Sequence, residues 1–104
     1  MTIQINIDKN LSVNEAFKAQ LDGLISAELS RFSEHITRLE VHLSDENGNK
    51  QGLNDKRCMI EARLEGRQPI AVTDMADDYE LAVSGAIEKL KASLDTIVGK
   101  LRHH

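Results

Sequence analysis

Two stretches near the middle of the chain restrict its fold more than any other feature. In ITRLEVHLS, residues 36–44, Leu39, Val41 and Leu43 alternate with Arg38, Glu40 and His42. In KRCMIEARLE, residues 56–65, Cys58, Ile60, Ala62 and Leu64 alternate with Arg57, Met59, Glu61 and Arg63. Side chains along a strand point to opposite faces in turn, so each stretch predicts a strand with one apolar and one polar face. A sheet of such strands needs cover on one side and leaves the other side to water.

The remaining segments supply that cover. TIQINID, residues 2–8, is a third alternating stretch, with Ile3, Ile5 and Ile7 on one face. Ser12 and Glu15 then form a capping box, S-x-x-E. Phe17, Leu21, Leu24, Ile25, Leu29 and Phe32 follow at spacings of three and four, which predicts a helix over 13–32. PIAVT, residues 69–73, reads as a short strand that opens with Pro69, where a missing N–H is tolerated. Asp74 is the expected N-cap of a second helix ending near Leu101. Its apolar stripe is Tyr79, Val83, Ala86, Leu90, Leu94, Ile97 and Leu101. Gly23 and Gly85 fall inside helices at a cost of about 1 kcal/mol each against alanine. Gly85 lies near Ala82 and Ala86, which predicts close backbone packing there.

The order is therefore β-α-β-β-β-α. A helical crossover leaves the first two strands parallel, and hairpins make the later pairs antiparallel. The expected class is α+β, a four-stranded sheet with two helices on one face. The open face would carry Arg38, His42, Arg57, Met59, Glu61 and Arg63. A chain of 104 residues suits one domain, 1–104. With aromatics at 3%, its core must be aliphatic. One cysteine permits no internal disulfide, which fits a reducing cytoplasm. No apolar run approaches the roughly 20 residues of a membrane span, and MTIQINIDKN lacks the features of a signal peptide.

Little in the sequence resembles an active site. The connector over 45–55 places Asp45, Asn47 and Asn49 as in a calcium loop. Gly48 is then out of register, and Lys56 stands where a bidentate glutamate belongs. Asn, Asp and Gly are simply good turn formers. His35, His42, His103 and His104 show no ligand spacing. Cys58 alternates with core residues and reads as a small buried hydrophobe. Asp74, Asp77, Asp78 and Glu80 gather where acids favour a helix N-terminus. No nucleophile elbow, P-loop or dinucleotide fingerprint is present. No catalytic residue, metal, cofactor, small-molecule substrate or membrane contact is expected. The alternative is a small enzyme or metal-binding protein using Asp45, Asp55 and His42.

The cations carry more information. The net charge of −4 argues against general nucleic-acid affinity, which needs a basic patch. Yet Lys89 and Lys100 share one line of the second helix, and Lys91 and Arg102 share another. Over residues 85–104 four cations face two acids. With Arg57 and Arg63 on the sheet, they form a discontinuous basic surface. An ordinary solvated helix is the plainer interpretation.

The element order, the stretches ITRLEVHLSDENG and CMIEARLEG, the Pro-Ile-Ala-Val strand and AIEKLKASLDTIVGKL together resemble the ribosome hibernation promoting factor and ribosome-associated inhibitor family. The likeness covers almost the whole chain and points to the short branch, without a C-terminal dimerisation domain. It implies a dsRBD-like fold and no enzymatic activity. It implies binding to 16S rRNA of the small ribosomal subunit, occluding the transfer-RNA and messenger-RNA channel in stress. Cationic contacts to phosphates would hold it there. Carried onto this chain, the rRNA-binding residues are Arg31, Lys56, Arg57, Arg63, Lys89, Lys91, Lys100 and Arg102. Ala92, Thr96 and Val98 stand where members of the family carry further cations, and this chain is more acidic. The alternative within this fold is a protein-interaction module that has lost strong ribosome binding. A weak homodimer through a free sheet edge is also compatible with the pattern.

Overall fold

The fold comes from a computed structural model, which describes residues 1–8, 15–45 and 55–102, with side chains as far as Gly99. Its elements are β1 (Thr2–Ile7), α1 (Glu15–Glu28), a 3₁₀ turn (Ser30–Phe32), β2 (Ile36–Asp45), β3 (Lys56–Leu64), β4 (Ile70–Ala76) and α2 (Tyr79–Arg102). The four strands lie side by side in chain order, β1-β2-β3-β4. β1 runs parallel to β2, and β2–β3 and β3–β4 are antiparallel. The α+β architecture expected from the periodicity is the one observed. The Ser12 half of the capping box, the middle of the 45–55 connector, His103 and His104 lie outside the described residues.

The alternation decides which face is covered. Leu39, Val41 and Leu43 of β2 and Cys58, Ile60 and Ala62 of β3 are almost fully buried. Leu21, Ile25 and Leu29 meet them from the α1 side, and Ala82, Val83, Ala86, Ile87, Leu90 and Leu94 from α2. Each fully buried aliphatic side chain contributes about 1.5–3 kcal/mol, so this aliphatic layer offsets the shortage of aromatics. Ala82 and Ile87 widen the stripe read from the sequence.

Three expectations need correction. The first helix does not continue to Phe32. Beyond Leu29 the backbone tightens into three-residue bonds: Phe32 N–H to Leu29 O at 3.0 Å and Ser33 N–H to Ser30 O at 3.1 Å. Ser30 Oγ also donates to the Ala27 carbonyl at 3.1 Å, a local bond that competes with the α-helical ladder. Leu29 and Phe32 are three residues apart, so both stay buried in either kind of turn.

Secondly, Asp74 does not cap α2. β4 runs on to Ala76, and Asp74 lies in it opposite Cys58. The cap is Asp78, whose Oδ1 accepts the Leu81 N–H at 2.8 Å. Thirdly, the neighbour that excludes a side chain at Gly85 is not backbone. A Cβ there would lie 1.7 Å from Asp74 Oδ2 and 2.7 Å from its Cγ. The β3–β4 turn includes Gly66 at φ +70°, a conformation L side chains rarely adopt.

Candidate nucleic-acid interface

The helix-free face of the sheet is built by the register of β2 and β3. Arg38 stands opposite Arg63, Glu40 opposite Glu61, His42 opposite Met59 and Ser44 opposite Arg57. Like charges thus face each other across the strands, and opposite charges are neighbours along them. Arg38 Nε lies 3.4 Å from Glu40 Oε1, and Arg63 Nε lies 3.2 Å from Glu61 Oε1. Arg63 Nη2 also approaches Glu40 Oε2 at 3.9 Å. Arg38 donates a further bond to Gln4 Oε1 on β1. The result is a charged square in which Arg38 and Arg63 stand on facing positions of β2 and β3. Towards the opposite end of the sheet, Arg57 borders a shallow depression with Asn6, His42, Ser44 and Met59.

Arg38 belongs to this patch but is absent from the contact set carried over by resemblance. The alternation had already placed it on the open face. The missing information was the register, which sets it directly opposite Arg63.

Lys56 does not join the patch. It shares the side of β3 that carries Cys58 and Ile60, which is the helix side. Its Nζ sits 3.0 Å from Asp45 Oδ2 and 3.1 Å from Asp55 Oδ1. Those hydrogen bonds, Asp45 first, hold its pKa above the ordinary lysine value. The carboxyl of Asp55 is almost fully buried. The Tyr79 hydroxyl is buried nearby without a hydrogen-bond partner among the described residues. Burial, reinforced by the charge of Asp45, pushes it up to about 12. This end of the sheet is a closed charge cluster that pins together the two ends of the connector.

The same geometry separates the residues of the metal alternative. Asp45 has the parity of Leu43 and faces the helices, whereas His42 faces the opposite side. Among the described residues, no group of three or more His, Cys, Asp or Glu side chains is placed to hold a metal ion. Cys58 is fully buried, and burial pushes its thiol up to about 12, far from a nucleophile's range.

The remaining candidates lie on the helical layer. Arg31 forms a two-pronged pair with Asp95, Nη1 to Oδ1 at 3.1 Å and Nη2 to Oδ2 at 3.2 Å. Its guanidinium stacks 4.4 Å from the centre of the Phe32 ring. Lys91 Nζ lies 2.9 Å from Glu28 Oε2 and 3.7 Å from Glu88 Oε1, and Glu28 above all raises its pKa. Lys89 Nζ donates to the Thr73 carbonyl at 2.7 Å and to Asp74 Oδ1 at 3.1 Å, on the edge strand β4. Lys100 and Arg102 sit on the last turns of α2, and their side chains lie outside the described residues. The structure therefore gathers Arg57 and Arg63 on one face. It places Arg31 and Lys91 at the seam between α1 and α2, and Lys89 at the sheet edge.

Known proteins share this fold. The model of the family described as "Sigma 54 modulation protein / S30EA ribosomal protein" matches residues 3–102. The chain belongs to this family. The resemblance carried by the strand and helix pattern thus points to the correct group of hibernation factors. Among solved structures, the Protein Y N-terminal domain from Thermus thermophilus is similar, with a TM-score of 0.72 and 24% identity. That match covers 93% of this chain and 99% of the other. A ribosomal subunit interface protein from Coxiella burnetii gives a TM-score of 0.74 at 18% identity, covering 95% of this chain and 99% of the other. At such identities the likeness shows the shared fold. A curated protein, FAM136A of Mus musculus, is 27% identical over 79 residues, 76% of this chain. The chain spans about half the length of that relative (54%).

Proposed function

We propose that the protein is a cytoplasmic hibernation factor that binds the small ribosomal subunit and blocks its transfer-RNA and messenger-RNA channel. The observation that carries this reading is the family match over 3–102, across sheet and helices alike. Binding needs no chemistry and no cofactor. The solved relatives include one named as a ribosomal subunit interface protein. Arg38, Arg57 and Arg63 on the open face contact 16S rRNA phosphates. Arg31, Lys89, Lys91, Lys100 and Arg102 extend the contact along the helical layer. Such contacts position a protein by shape and charge rather than by base sequence.

Competition tests the occlusion step. Labelled initiator transfer RNA bound to messenger-programmed small subunits is titrated with the protein. Displacement at the concentration where the protein itself binds supports occlusion. Undiminished transfer-RNA binding on subunits saturated with the protein contradicts it.

One observation favours a second reading. Arg31, Lys56, Arg63, Lys89 and Lys91 are all paired with carboxylates of the chain itself. A module that has given up ribosome binding for a protein partner would tolerate such pairing. It predicts no sedimentation with small subunits even at low salt. β1 and β4 are the two edges of the sheet. Pairing of two copies through either edge is tested by sedimentation velocity over a concentration series.

A further inference from the structure

The seam between the two helices is stitched by acids that occupy the phosphate-binding ends of its cations. Asp95 fills the fork of Arg31 with two parallel bonds, the geometry a phosphate would adopt. Glu28 lies 2.9 Å from Lys91, and Glu88 flanks it at 3.7 Å. These acids are well exposed: side-chain accessibility is 53% for Asp95, 41% for Glu28 and 72% for Glu88. The pairs are therefore weak and exchangeable. An incoming phosphate has to displace a carboxylate and then remain beside it. Both effects lower affinity.

We propose that Glu28 and Asp95 are built-in competitors for the phosphates that Lys91 and Arg31 would otherwise take, and that they set the protein's affinity for rRNA. The inference rests on the ribosome-binding reading and deepens it, since it assigns a role to acids that contact no RNA. It also gives a role to two of the 17 acids that make the chain acidic. The acids hold the cations ready and keep them from binding other polyanions strongly. Binding is then restricted to a surface that engages several cations together.

The test compares wild type, Glu28→Gln/Asp95→Asn and a control, Asp22→Asn/Glu80→Gln, in equilibrium sedimentation with purified small subunits over a potassium chloride series. The control removes the same charge from the same helices away from the pairs. Both single variants are measured too, with circular dichroism to confirm folding. The seam variant is expected to bind about two- to thirty-fold tighter than wild type, the factor two exposed pairs represent. Its salt dependence should also steepen, by at most about one unit of log–log slope per freed cation, since an acid left beside each wild-type contact reduces the counterion release that contact would give. Tightening no greater than in the control overturns the inference and leaves ribosome binding by the wild type intact. Absence of binding by every form at low salt overturns both.

Discussion

Gly85 offers a sharp test of the packing because two opposing effects meet there. Replacing a glycine inside a helix by alanine ordinarily stabilises by about 1 kcal/mol. At Gly23 nothing lies within 4 Å of the added Cβ, so Gly23→Ala should show close to that full gain. At Gly85 the added Cβ would lie 1.7 Å from Asp74 Oδ2, 2.7 Å from its Cγ and 3.3 Å from its Cβ. Moving the carboxylate tip alone does not relieve this, because Cγ must leave as well. Asp74 must change rotamer and give up its 3.1 Å contact with Lys89. Overpacking of this kind costs about 1–3 kcal/mol, so Gly85→Ala should be destabilising by roughly 0–2 kcal/mol despite its better helix propensity. In an Asp74→Ala background the same substitution meets only a Cβ, which gives way by a few tenths of an ångström. There it should stabilise, by somewhat less than 1 kcal/mol. Urea denaturation of the four proteins in the cycle yields the coupling, expected to be about 1–3 kcal/mol. An equal effect of Gly85→Ala in both backgrounds would show that Asp74 is not what excludes a side chain there.

Further outcomes follow from the core and its titrating groups. Leu90→Ala removes a fully buried side chain facing the sheet and should cost about 2–5 kcal/mol in urea unfolding. Asp78→Ala removes the side chain that caps α2 and should cost about 0.5–2 kcal/mol, whereas Asp74→Ala should not behave as a cap loss. The folded-state pKa values of Cys58, Tyr79, Lys56 and Lys91 are all raised, so stability from these groups is complete at neutral pH and falls on the alkaline side. Cys58 acts first. Between pH 9 and about 12 its thiol ionises in the unfolded chain but not in the core, which removes about 1.4 kcal/mol per pH unit. Cys58→Ala should flatten that part of the stability–pH curve. A thiol reagent should leave native Cys58 unmodified at pH 8 and label it only after unfolding.

The fold was largely legible because the chain keeps its periods apart. β2 and β3 alternate cleanly, and the α2 stripe from Val83 to Leu94 has strict helical spacing. The errors fell where spacing is ambiguous. Leu29 and Phe32 suit a 3₁₀ turn as well as an α-helix. Thr73, Asp74 and Met75 contain too few apolar residues to show that β4 continues. The candidate site was legible in parity and hidden in pairing. Alternation places Arg57 and Arg63 on the open face and Cys58 in the core. It does not reveal that Arg38 stands opposite Arg63, since that depends on strand register. Nor can spacing along one helix show that Arg31 meets Asp95, 64 residues away. Long-range ion pairs are properties of the assembled layers.

Cations holding this acidic chain on rRNA would make its binding depend on both salt and side-chain charge. Equilibrium sedimentation with purified small subunits over a salt series tests it most directly, with wild type beside Arg38→Glu/Arg57→Glu/Arg63→Glu. Saturable wild-type binding is expected, its logarithm falling linearly with that of salt, with loss of binding in the variant. Failure of the wild type to bind at the lowest salt, or equal binding by the variant, would contradict it.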